Sequence, residues 1–470
     1  MSTTSRISLV RGPWPIYVIG AFAELLFGYD NGIIGVAMLS IKKEFPVSPL
    51  EEGFIVSSLL LGAAVGAGLS GRLSDRFGRR PLLVLVGVVF GAGGLVAAVA
   101  PSVPVLVTAR VFMGLGVGSS AVVVSVYLIE IAPTRHRGKI GSLGQMLLVI
   151  GILLAYVIGY ALQPSNDWRL MLGITALPSA AIVVALLLVP ESPRWLVQRG
   201  RTADATAALT RLGRGTEAPG ELAELQRSVA TSRTQVRSTG ALLKLMFSRP
   251  LTRASIAGIG LCVLIQFTGT NAIVYFAPSA LKVAGFGDTA AVTANIGIGA
   301  FNVAFTVLGL FLVDRVRRRT LITAGSIGMT VAMAFLALHG LAVPAGSAAG
   351  GWATLAGMIV FLSCFAFSWG ILVRVIVTEL FPSSLRGGAT GVIIIAQWLA
   401  NFVVSQSFPT ILDTSAVLGY SLFAVMGAIA ILFSRTLLPE TGGARSLEDL
   451  EAETLDTGTE SGGTPVSTRV

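Results

Sequence analysis

Glu24, Asp30, Arg110 and Arg374 stand inside long apolar runs. A charged side chain at the centre of a bilayer costs about 2.5–3.5 kcal/mol even by the mildest scales, so such groups pair or line a water-filled route. Asp30 and Arg110 are the first expected pair. A nearby cation favours the ionised carboxylate and desolvation disfavours it, so rearrangement around the pair can switch its protonation. That is proton-coupling chemistry; the plainer reading is a permanent ion pair between helices. Glu24 has three readings: extension of a proton path, a partner for a cation, or a group that snorkels toward the cytoplasm. Arg374 needs an anion. Either a carboxylate of the protein supplies it, with Glu24 and Asp30 the nearby candidates, or an acidic group on a substrate does.

The elements that must hold these charges are membrane helices. The chain is 53% hydrophobic and 12% charged, with a mean hydropathy of +0.80. Crossing the hydrocarbon takes about 20 apolar residues. Twelve stretches qualify, roughly 14–38, 54–70, 81–99, 103–127, 140–163, 169–189, 252–284, 289–313, 320–342, 351–378, 388–412 and 416–438. The first is too long for a cleavable signal and is expected to be the first spanning helix. The net charge of +10 is a topology signal rather than a nucleic-acid footprint. Only Arg110 and Arg374 fall well inside a stretch, and Lys42, Lys43, Arg169 and Lys282 occupy loops on one side. The other basic residues lie opposite, which makes that side cytoplasmic and puts both termini there. Cys262 and Cys364 sit within apolar runs as packing residues, and two His residues, His136 and His339, offer no metal site.

Gly71-Arg-Leu-Ser-Asp-Arg-Phe-Gly-Arg-Arg80 separates two apolar stretches, and a degraded copy follows at 311–320. Asp75 and Asp314 thus occupy matching places in two halves, the mark of a duplicated transporter. The expected division is a six-helix bundle over 1–189, a cytoplasmic linker with short amphipathic helices over 190–251, a second bundle over 252–440, and a disordered tail over 441–470. Gly62 and Gly66, with Gly114 and Gly118, are spaced for close helix crossings.

Further strings complete the pattern. They are Phe27-Gly28-Tyr29-Asp30, Arg110 with Gly114, Gly116 and Gly118, Glu130, Arg137-Gly138, and Pro190-Glu191-Ser192-Pro193-Arg194-Trp195-Leu196. The second half adds Gln266-Phe267-Thr268-Gly269-Thr270-Asn271, Glu379-Leu380-Phe381-Pro382, Arg386-Gly387 and Pro439-Glu440-Thr441. Together they resemble the sugar porter branch of the major facilitator superfamily over nearly the whole chain. The resemblance implies an all-α integral membrane protein, with twelve transmembrane helices in two pseudo-symmetric six-helix bundles. It implies that Asp30 takes up a proton and Arg110 modulates its charge; Glu24, where the family more often has a small residue, is a further candidate by its place in the apolar run alone. It carries sugar contacts over to Gln145, Gln266, Asn271, Asn302, Gln397, Trp398 and Asn401, and an outer gate to Tyr275 and Phe276. Asp75, Arg79, Glu130, Arg137 and Glu191, matched by Asp314, Arg318, Glu379, Arg386 and Glu440, would hold the inner side shut and release as the halves rock.

Three further positions depart from the family. Arg317 stands where a Gly is usual, Ile265 replaces the first of two paired glutamines, and Arg374 takes the place of an aromatic near the sugar. Trp369, five residues earlier, would point elsewhere on a straight helix. The expected function is proton-coupled uptake of a monosaccharide or polyol by a monomer in the cell membrane, with the proton as coupling ion and no cofactor. The alternatives are an organic anion or sugar acid bound by Arg374, or export of a metabolite or drug. Export is disfavoured because 145–160 has no Gly-Pro motif. A receptor is disfavoured by the short tail. Nothing resembles a nucleophile–base pair, a metal cluster or a phosphate loop, so no enzyme is expected.

Overall fold

The computed structural model describes residues 13–132, 137–231, 239–248, 251–313, 315–343, 347–381 and 385–439. The first bundle comprises α1 (Pro13–Ala21), α2 (Ala23–Glu44), α3 (Pro49–Phe77), α4 (Arg79–Ala98), α5 (Val103–Ile131), α6 (Arg137–Leu162), α7 (Trp168–Gly173) and α8 (Ala176–Leu188). Four short helices follow: α9 (Pro193–Gln198), α10 (Thr202–Arg211), α11 (Ala218–Thr231) and α12 (Thr239–Met246). The second bundle holds α13 (Thr252–Phe267), α14 (Thr270–Val283), α15 (Asp288–Leu312), α16 (Arg318–Ala342), α17 (Ala348–Phe367), α18 (Trp369–Glu379), α19 (Arg386–Thr414) and α20 (Ala416–Thr436). Among the described residues, twelve spans are long and apolar enough to cross a membrane. Val88, Phe112 and Leu187 on one bundle, and Phe311, Phe335 and Leu432 on the other, are exposed as lipid-facing side chains should be.

Lipid tails are as apolar as leucine, so helices associate through close packing rather than through expulsion of water. The α3–α5 crossing shows this. A Cβ added at Gly62 or Gly66 would lie 2.0 or 2.2 Å from the carbonyl oxygens of Val111 and Leu115. One added at Gly114 or Gly118 would lie 2.0 or 1.8 Å from those of Leu59 and Ala63. The four glycines therefore interlock two backbones at contact distance. The α2–α6 crossing is built the same way: a Cβ at Gly28 would meet the Leu148 oxygen at 1.9 Å, and one at Gly151 the Leu25 oxygen at 2.2 Å. These two crossings fix the helices that carry Asp30 and Arg110.

Several expected boundaries need correction. The stretch 252–284 is two helices, α13 and α14, broken at Gly269, whose φ of 90° only glycine adopts cheaply. The Phe423 ring fills the space where a Cβ would stand, 2.4 Å away. The stretch 351–378 breaks at Ser368, whose hydroxyl donates to the Cys364 carbonyl at 2.6 Å, a side-chain bond that bends helices. Lys42 and Lys43 lie in the last turn of α2 rather than in a loop.

The linker docks on the basic end of the first bundle. Trp195, Leu196 and Val197 of α9 pack with Ala205 and Ala208 of α10, and Leu222, Leu225 and Val229 of α11 cover them. The Trp195 indole donates to the Asp75 carbonyl at 3.0 Å. The tail 441–470 lies outside the described residues.

Gly114→Leu should lower stability by at least about 1–3 kcal/mol, the cost of forcing carbon into a packed crossing. A lowered Tm of the purified protein checks this, and the effect should exceed that of a leucine at Gly391, around which there is open space.

Candidate functional site

Asp30 on α2 and Arg110 on α5 meet inside the first bundle, 3.2 Å apart at their nearest atoms, each 1% exposed. Nη1 and Nη2 of Arg110 address the two carboxylate oxygens at 3.2 and 3.3 Å. Nε donates to the Ile55 carbonyl at 2.7 Å and Nη2 also to that of Val56 at 3.4 Å, both on α3. The guanidinium is thus held by α3 whatever the charge on Asp30, so the carboxylate is the adjustable member of the pair.

The next residue carries the site across the seam between bundles. Asn31, which is 3% exposed, accepts at Oδ1 from the Tyr275 hydroxyl of α14 at 3.2 Å. Sequence reasoning missed Asn31; its place beside Asp30 in a run buried on all sides is the signal that would have found it. Tyr275 crosses the seam as an outer-gate residue would. Phe276 faces its own bundle instead, with its ring centroid 5.6 Å from that of Phe408.

The seam is closed at the end opposite the basic turns. Ser57 of α3 donates to Gln406 of α19 at 2.8 Å, and Gln406 donates back to the Leu50 carbonyl at 3.0 Å. Thr289 donates to Gln163 at 3.0 Å, Tyr156 to the Val274 carbonyl at 3.3 Å, and Lys43 pairs with Asp288 at 3.0 Å. Backbones also touch: a Cβ at Gly35 would lie 2.2 Å from the Tyr275 carbonyl oxygen, and one at Gly53 2.4 Å from that of Gln406.

Nearer the basic end one ion pair bridges the bundles. Arg374 of α18 donates from Nη2 to Glu24 of α2 at 3.2 Å. Its partner is therefore the protein's own carboxylate, and it is Glu24 rather than Asp30. Glu24 is 1% exposed, and its Oε1 has no hydrogen-bond partner. Trp369 does not replace the missing aromatic, because it is fully buried and its indole donates to Ser326 of α16 at 2.9 Å.

The amide residues gather along the same seam. Gln266 and Asn271 flank the break between α13 and α14, and Asn271 donates to Gln266 at 2.8 Å. Gln145 on α6 approaches α18, with its amide nitrogen 3.5 Å from where a Cβ of Gly370 would stand. Trp398 on α19 packs edge-on against Phe27 of α2, centroids 5.4 Å apart, and half-buried Gln397 precedes it. Asn401 accepts from Ser405 at 3.1 Å. Several polar atoms there are buried and without partners: the Asn302 oxygen, the Trp398 indole nitrogen, the Asn401 amide nitrogen and the Thr270 hydroxyl. Buried polar groups are nearly always satisfied, so these atoms on α14, α15 and α19 stand out as unused hydrogen-bonding capacity. Asn295, two turns before Asn302 on α15, also lacks partners and was not singled out from the sequence.

The basic end holds the remaining charges. Arg79 donates to Glu130 from Nε at 3.0 Å and from Nη2 at 3.2 Å, and lies 3.2 Å from Asp75. Glu191 accepts backbone N–H bonds from Arg79 and Arg80 at 3.2 Å, capping α4 as an anion should. Gly78 makes room for it: its φ is 104°, and a Cβ there would lie 2.3 Å from the carboxylate. Burial pushes the Glu191 carboxyl up, and the N–H donors oppose the shift. Arg318 and Glu379 form an ion pair in the second bundle. Asp314 and Glu440 lie outside the described residues, as do the side chains of Arg137 and Arg386. The described pairs each join helices of one bundle, because the bundles meet most closely at the other end.

A family model described as "Sugar (and other) transporter" matches residues 16–453. The glucose transporter GlcP of Staphylococcus epidermidis is 38% identical over 439 residues, which is 93% of this chain and 96% of that protein. The arabinose-proton symporter of Bacillus subtilis is 35% identical, over 91% of this chain and 92% of its own. The xylose transporter XylE from E. coli, in an inward open conformation, matches with a TM-score of 0.79 at 30% identity, over 94% of this chain and 99% of that one. The chain belongs to the sugar porter family of the major facilitator superfamily.

Removing Gln266 or Asn271 leaves a buried partner unpaired, so Gln266→Ala and Asn271→Ala should each weaken substrate binding by about 1–3 kcal/mol. Calorimetric titration of the purified protein with D-glucose and D-xylose measures this.

Proposed function

We propose that this protein is a proton-coupled symporter of the cell membrane that takes up an uncharged monosaccharide or polyol by alternating access. The basic turns and both ends of the chain face the cytoplasm, the protein works as a monomer, and the proton is its coupling ion. One observation carries the reading: a bidentate carboxylate–guanidinium pair, Asp30 with Arg110, is buried in the first bundle and adjoins the hydrogen bond that ties Asn31 to Tyr275 of the second. The relatives named as an arabinose-proton symporter and a glucose transporter support it.

The geometry suggests how coupling works. The outer end of the seam is closed by the bonds of Ser57, Gln406, Thr289 and Tyr156. Ionised Asp30 is bound to Arg110, whose remaining donors stay on α3. A proton on Asp30 cancels that attraction and frees α2 to shift by the small distance that also governs Asn31 and Tyr275. Binding of sugar by the amides around Gly269 draws α14 against the first bundle, so protonation and sugar binding bias the same element. Moving one proton inward across 100 mV releases about 2.3 kcal/mol, enough for useful accumulation. A cationic site for acidic substrates is the less favoured reading, because Glu24 already neutralises Arg374.

Asp30→Asn should abolish uphill uptake in energised right-side-out vesicles while sparing sugar counterflow. Accumulation by that variant at the wild-type level would remove Asp30 from the proton step.

A further inference from the structure

The Glu24–Arg374 pair bridges the two bundles close to Gly144 and Gln145 of α6. Among the described residues Arg374 makes a single hydrogen bond, from Nη2 to Glu24, so most of the donors of its guanidinium are free. Its side chain is 42% exposed, against 1% for Glu24. The guanidinium reaches across the seam, bonded to Glu24 of α2 and close to Gly144 of α6. A Cβ built on Gly144 of α6 would stand 3.4 Å from Glu24 Cγ and 3.8 Å from Arg374 Nη1. One turn earlier on α18, Gly370 lies against the Gln145 amide, so the cation borders the amide cluster. Glu24 is buried beneath it, with one oxygen on the guanidinium and the other unpartnered.

We propose that this pair is a charge filter at the substrate site. Arg374 gives its free N–H groups to hydroxyls of an uncharged sugar, as a fork that two neighbouring oxygens can share. Glu24 cancels the cation, so an acidic sugar finds no net attraction and meets a carboxylate held behind the donors. Discrimination of this kind comes from the repulsive element as much as from the attractive one. The filter rests on the reading of the chain as a carrier of uncharged sugars.

The test is calorimetric titration of the full-length purified protein with D-glucose, D-xylose and D-glucuronate. The wild-type protein should bind one of the neutral sugars at least tenfold more tightly than D-glucuronate. E24Q should raise the ratio of glucuronate affinity to neutral-sugar affinity at least tenfold, and E24Q/R374Q should abolish that gain. A wild-type protein that binds glucuronate as tightly as the neutral sugars overturns the filter without any variant. So does a folded E24Q whose ratio is unchanged, or a gain that persists when Arg374 is also removed. A wild-type protein that binds D-glucuronate and neither neutral sugar overturns the uncharged-sugar reading and the filter with it, whereas an unchanged ratio in E24Q overturns the filter alone.

Discussion

Every charge carried into the hydrocarbon has to be neutralised by another part of the same chain, and the architecture follows from how that is done. Breaking a buried ion pair by removing one partner typically costs about 3–5 kcal/mol, because the survivor is left uncompensated. Arg110 is therefore fixed by two carbonyls of α3 as well as by Asp30. To bring three helices within reach of one guanidinium, α3 and α5 must nearly touch, which is what their interlocked glycines permit. The small-residue packing and the ion pair are one construction: without the first, the second could not be solvated by protein.

A second consequence is the contrast between the two charged pairs. Asp30 and Arg110 lie within one bundle and are both shut away from solvent. Glu24 and Arg374 lie in different bundles, and only one of them is hidden. The first suits a switch whose protonation acts within one bundle, through α2, and reaches the other by the bond between Asn31 and Tyr275. The second cannot outlast a wide separation of the bundles at that level, so it belongs to a conformation and not to the fold as such. The broken helices fit between them. Gly269 and Ser368 interrupt α13–α14 and α17–α18 where the backbone freed from a helix is buried in protein rather than meeting lipid.

Much of this was legible in the residues. The twelve spans, the duplication around Asp75 and the glycine crossings follow from hydropathy, spacing and the need for close packing. The pairing of Arg374 could be narrowed to two carboxylates, but the choice of Glu24 depends on how α18 is rotated against α2, which no local pattern records. The break at Gly269 was hidden because long apolar runs flank the polar string 266–271 on both sides. Glycine is required there by its φ of 90° and by the Phe423 ring, which comes from far along the chain. The inner charges were read as a lock because their types and places suit one. Which partners they hold depends on the state of the whole molecule, and here Arg79 and Arg318 each brace their own bundle.

The glycines at the closed end bear on speed. At Gly35 and Gly53 the nearest opposing atom is a carbonyl oxygen, so the helices meet there backbone to backbone. Two smooth faces of this kind can part without first withdrawing knobs from holes, so little friction opposes their separation. Bulkier residues there would roughen the contact and slow each opening, even where they left the closed form equally stable. The rate of cycling is in this sense written into positions that bind nothing.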